Sequence, residues 1–143
     1  MKQSNLLKML GEWVGVGTMT VGDHAGEIEE YLKLETTDKD NSLSYIRKSR
    51  ITFPERTVLH NEIGYMRTDG MALLLSSGSY EILDWITATA QYEQVAGSAD
   101  SRNMVRIVEI PHTETMFWRN SMEVDHRGSW VSHTTETKFS AIS

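Results

Sequence analysis

The sequence predicts an all-β protein: a ten-stranded antiparallel up-and-down barrel with a short N-terminal helix. Three observations carry that expectation. After residue 10 the chain divides into ten extended segments, mostly of about 6–11 residues, with period-two patterning. Compact turn signals such as GDHAG, TDKDNS and FPER separate them. Ten consecutive strands with such short connections form a meander, and closing it removes the exposed edges that an open sheet would leave. A two-sheet sandwich is the competing arrangement.

The elements follow in chain order. Ser4 is expected to cap a short helix, Leu6, Leu7 and Leu10 to turn toward the barrel as a plug, and Gly11 to end it. Strands are expected at 11–21, 27–36, 43–52, 57–68, 71–77, 79–87, 89–96, 103–110, 113–124 and 129–141. The first, GEWVGVGTMTV, sets Trp13, Gly15 and Gly17 on one face. Glycine weakens a strand interior, so two gaps beside a tryptophan mark either a ligand close to the backbone or a sharp bend. About eight strands enclose room for side chains or one small ligand, and ten should leave more. One ligand-binding domain spanning 1–143 is therefore expected.

Composition narrows the function. With 39% hydrophobic residues and only 2 prolines, disorder is not expected. A formal net charge of −6, without basic clusters, argues against nucleic-acid and anionic-membrane partners. The absence of cysteine excludes disulfides, thiolate metal sites and a cysteine nucleophile. No apolar run reaches the ~20 residues of a membrane helix, and no signal peptide is visible, so a cytoplasmic location is expected. No GxSxG, HExxH or P-loop pattern occurs, and Glu29 and Glu30 fall on opposite strand faces. No conventional catalytic side chain is expected.

The final strand, SWVSHTTETKFSAIS, sets Val131, His133, Thr135, Thr137 and Phe139 on an uncharged face. His133 then points inward among small neighbours, as a metal-ligating imidazole or as a core histidine bonded to the next strand. His60 and Glu62 share a face in TVLHNEIGYMR, but neither face there is cleanly apolar, so the direction of His60 stays open. His24, His112 and His126 fall in turn segments and are expected to be solvated. Met66, Met71, Met116 and Met122 fill the core or line a cavity. Arg47, Arg67 and Arg119 are mid-strand cations; each taken singly is expected to face solvent, although an inward one would suit a carboxylate.

Three of these features together resemble the nitrobindin family, haem-binding barrels related to the fatty-acid-binding proteins. They are GxWxGxG at Gly11, Trp13, Gly15 and Gly17, LHNEIGYMR at 59–67, and the histidine of the last strand. The chain departs from the family pattern in SSGSYE after the fifth strand and in HTTETKF at the end of the last. The resemblance implies haem b bound through His133 as iron ligand. Trp13, Gly15, Gly17 and, near the haem edge, His60 would contribute to the site. It also implies chemistry with nitric oxide and isomerisation of peroxynitrite at the iron, and a possible homodimer, since such barrels often pair. The alternative is a non-haem carrier of a fatty acid or another small lipophilic ligand. A third reading is an interaction module whose barrel interior is filled.

Overall fold

A computed structural model describes residues 1–142. It contains α1 (Gln3–Lys8), β1 (Gly11–Val21), β2 (His24–Thr36), β3 (Ser42–Thr52), β4 (Thr57–Arg67) and β5 (Gly70–Leu75). The remaining strands are β6 (Tyr80–Ile86), β7 (Gln91–Gly97), β8 (Ser101–His112), β9 (Thr115–His126) and β10 (Ser129–Ala141). Each strand pairs antiparallel with the next, and β1 pairs with β10 to close the barrel. The expected barrel is thus the observed one, and the sandwich is excluded. Among the described residues no helix is long and apolar enough to cross a membrane.

Alternation does most of the folding work. In β2, Ile28, Glu30, Leu32 and Leu34 are buried while Glu27 and Glu29 face solvent. In β10, Thr137 and Phe139 are buried between exposed Glu136, Lys138 and Ser140. The β9–β10 turn consists of Arg127 and Gly128 alone, both with positive φ (55° and 88°). That is the two-residue geometry whose twist matches the flanking strands. Pairing therefore runs out to His126 opposite Ser129, two residues past the expected end of this strand at 124.

The plug differs from expectation in its facing. Leu6 and Met9 are fully buried, whereas Leu7 and Leu10 lie outside at 44% and 36% exposure. Ser4 does not cap the helix; the N-cap is Lys2, without a side-chain bond. Positions 6 and 9 share a face at helical spacing, and the Trp13 indole fixes the exit by donating Nε1–H to the Met9 carbonyl at 2.9 Å. Burying Leu6 in this way contributes about 1.5–3 kcal/mol. Leu6 and Met9 belong to one buried apolar cluster with Leu32, Leu34, Leu43, Met66, Leu83 and Phe139, which fills this end of the barrel.

The gaps in β1 are closed by protein. A Cβ at Gly15 would come within 2.6 Å of the Thr137 methyl and 2.7 Å of the Phe139 ring; at Gly17 it would overlap the Glu136 carbonyl. The glycines let β1 and β10 approach where the barrel closes. That is the close-approach reading of a strand glycine, with a neighbouring strand as the partner.

Candidate functional site

Above the filled end lies a layer of buried charge. Arg106 is fully buried and makes two parallel bonds to Glu62, Nη1 to Oε2 at 2.7 Å and Nη2 to Oε1 at 2.9 Å. Arg47 engages Glu30 in the same manner, Nη2 to Oε1 at 2.8 Å and Nε to Oε2, and its Nη1 lies 4.0 Å from Glu62. The Tyr45 hydroxyl donates to Glu62, Thr137 donates to Glu30 at 2.9 Å, and Arg106 Nε donates to Asn120 at 2.6 Å. Both guanidinium groups lie over the Trp118 ring, at 5.2 and 4.9 Å. Burial alone would raise the Glu62 carboxyl; the charge and hydrogen bonds of Arg106, then Arg47, overcome that and hold it at about 2. The same environment pushes the Tyr45 phenol up, through burial and then the Glu62 charge. Two cations face two anions, so the layer is neutral.

The other end of the barrel is open. A cavity of about 930 Å³ extends from this layer to the rim, within the ~300–1,000 Å³ typical of small-molecule sites. Glu30, Arg47 and Glu62 form part of its floor, and Met19, Val21, Ile28, Ile51, Met122 and Val124 supply apolar wall. His60, His126 and His133 are among its lining residues. His133 is half-buried, and its Nε2 lies 3.3 Å from Nε2 of His126. His60 is half-buried on β4, with Nδ1 3.4 Å from the Ser76 hydroxyl. Burial lowers the pKa of both His60 and His133, and at His133 the nearby His126 acts in the same direction, which favours neutral rings around pH 7. The Thr135 hydroxyl, on the same wall, is buried with no hydrogen-bond partner.

His133 and His60 thus both reach the cavity, and the open direction of His60 resolves inward. Trp13, Gly15 and Gly17 lie outside its lining, at the filled end and along the β1–β10 seam. His126 lines the cavity instead of standing in a turn, and His24 joins the rim. Arg47 is inward and paired, against the expectation of a solvated face; Arg67 and Arg119 are outward, with Asp69 and Glu109 as partners. Met66, Met71 and Met116 fill the core, and Met122 lines the cavity. The open upper half departs from the filled interior that a pure interaction module would have. Among the described residues no three His, Cys, Asp or Glu side chains gather as a metal cage.

Sequence reasoning missed the charged layer. Its signal was a charge on an inward parity: Glu30 between Ile28 and Leu32, Arg47 between Tyr45 and Ser49, Arg106 two residues beyond Met104. His126 was missed because HRG was read as turn throughout. A two-residue turn at Arg127–Gly128 puts position 126 on the face of Met122 and Val124.

No protein-family model matches this chain, and no curated protein does. Solved structures share its fold. The S-type phycobiliprotein lyase CPES from Guillardia theta superposes with a TM-score of 0.68 at 7% identity, covering 99% of this chain and 92% of that one. Rv2717c from M. tuberculosis gives 0.65 at 18% identity, covering 98% and 96%. At these identities the likeness is one of fold, the closed antiparallel β-barrel, and of nothing finer.

Proposed function

We propose that this barrel binds haem b in its open cavity, with His133 as the protein ligand to iron. The observation that carries the reading is His133 itself. It is a neutral, half-buried imidazole at the edge of a cavity of about 930 Å³, with Met19, Val21, Ile28, Met122 and Val124 as apolar wall. An axial histidine in an apolar slot is what a protein supplies to such a cofactor. Bound there, haem would supply the chemistry toward nitric oxide and peroxynitrite that the resemblance implies. The chain's own part is to donate the His133 lone pair, shield one side with the β9–β10 wall and offer His60 deeper in the cavity as a hydrogen-bonding group.

The charged floor weighs against the fatty-acid alternative. A carrier for a carboxylate needs an inward cation free to receive it, and Arg47 and Arg106 are already taken by Glu30 and Glu62. A ligand anchored from the rim suits this cavity better than one anchored at its floor.

Titration of the purified protein with hemin, followed by absorption, tests the reading. Saturable one-to-one growth of a Soret band is expected. His133→Ala, with an unchanged far-UV circular dichroism spectrum, should weaken that binding and shift the band. Equal, unsaturable spectra for both proteins would overturn the proposal.

A further inference from the structure

We infer that this protein self-associates through the outer face of β3–β6, two copies meeting face to face about a two-fold axis that runs across these strands. The face lies on the outside of the barrel, so its occupant is independent of any ligand in the cavity.

Antiparallel register lays this face out as two adjacent rows. One runs from Lys33 through Ile46, Ile63 and Leu74 to Tyr80. The other runs from Glu35 through Ser44, Tyr65 and Ala72 to Ile82. From β3 to β6 neither row carries a formal charge. Elsewhere the outside is charged, as at Glu27 and Glu29 on β2 and at Glu109, Arg119 and Glu136 across β8–β10. The isoleucines, tyrosines and Leu74 of the two rows are 41–59% exposed. At roughly 150–250 Å² for a whole aromatic side chain and somewhat less for an aliphatic one, they leave about 600 Å² of apolar surface open. That is the top of the ~300–600 Å² range for the largest patch on a typical monomer. One side of a standard homodimer interface needs about 800 Å², about 65% of it apolar, hence about 500 Å².

Self-complementarity selects a second copy as the occupant. A two-fold axis running between the rows lays each row of one copy over the other row of the second copy. Leu74 then stands over the small Ala72, Tyr65 over Ile63 and Tyr80 over Ile82, so each large side chain meets apolar surface or a gap. A groove of about 570 Å³ follows both rows and gives these side chains somewhere to sink. At the margin the same rotation sets Lys33 opposite Glu35 of the second copy. Within one chain these two are already paired at 2.8 Å, so the contact extends that pair into a four-membered network and strands no unpaired charge. Charge disfavours the other faces. At a net −6 per chain two copies repel, and their approach is easiest where neither presents charge. Edge-to-edge strand pairing is closed off, because β1 and β10 complete the barrel.

Sedimentation equilibrium of the purified full chain across the micromolar range tests the assignment. Wild type should reach twice the chain mass, with a saturable dependence on concentration. Leu74→Glu, with an unchanged far-UV circular dichroism spectrum, should weaken association by at least about thirtyfold, the scale of one interface hot spot. Val16→Glu, at a 65% exposed position on β1 away from this face, should leave association unchanged. Lys33→Glu should weaken it, and Lys33→Glu combined with Glu35→Lys should restore it, a rescue that a merely sticky apolar patch would not give. A wild type that stays monomeric would leave the face to an unlike partner and overturn the inference. So would a Leu74→Glu variant that dimerises like wild type, a charge swap that restores nothing, or masses that climb past the dimer without saturating.

Discussion

The interaction between Arg106 and Glu62 is the most consequential pair in the molecule. Both side chains are buried, and each meets the other through two hydrogen bonds. Removing one partner leaves an uncompensated charge, so Arg106→Met is expected to cost about 3–5 kcal/mol in denaturant unfolding. The pH dependence follows from the sign of the Glu62 shift. Its carboxyl is held at about 2, below its unfolded value of ~4.3. The stabilisation is therefore complete above the unfolded value and is lost as pH falls through the folded one. Urea midpoints measured from pH 7 down to 2 should fall across the acid range, and Glu62→Gln, less stable throughout, should show a shallower fall. Residue chemistry of this kind was only half legible. Parity sets Glu30 and Arg47 on faces with apolar neighbours, a signal that the expectation of a solvent-facing Arg47 passed over. Which carboxylate meets which guanidinium depends on partners distant in sequence, such as Arg106 and Glu62, which a single strand does not display.

Among the elements, the strands were the most legible and the helix facing the least. Period-two burial and turn residues predict each strand to within a few residues, since one face of every strand must be buried. In the plug, three leucines near one stripe left the choice of face to packing, which selected Leu6 and Met9. Leu6→Ala is accordingly expected to lose about 2–5 kcal/mol, while Leu7→Ala should stay within about 0.5 kcal/mol of wild type, both read by thermal or urea unfolding. Equal effects would contradict the observed facing. In β1 the same GxG pattern suits a ligand or a neighbouring strand, and only the register of β10 decides between them. Gly17→Ala tests that register: its methyl group would meet the Glu136 backbone, so β1–β10 pairing, followed by amide exchange of Val16 and Thr18, should loosen.

At the scale of the whole molecule the barrel has three tiers: a plugged apolar end, a neutral layer of paired charge and an open cavity rimmed by histidines. The first two tiers stabilise the fold and leave the third free to take a ligand. A ligand that binds only the folded state adds about 2.7 kcal/mol at a hundredfold excess over its Kd, or about 5–10 °C in melting temperature for a domain of this size. Hemin should raise the melting temperature of wild type by that order, and that of His133→Ala by less. The most direct test is a crystal structure of the hemin-loaded protein, with iron located by its anomalous scattering. The account predicts a single iron in the open cavity, bonded to Nε2 of His133. Iron bound only on the outer surface, or a haem in the cavity with His133 unligated, would contradict it.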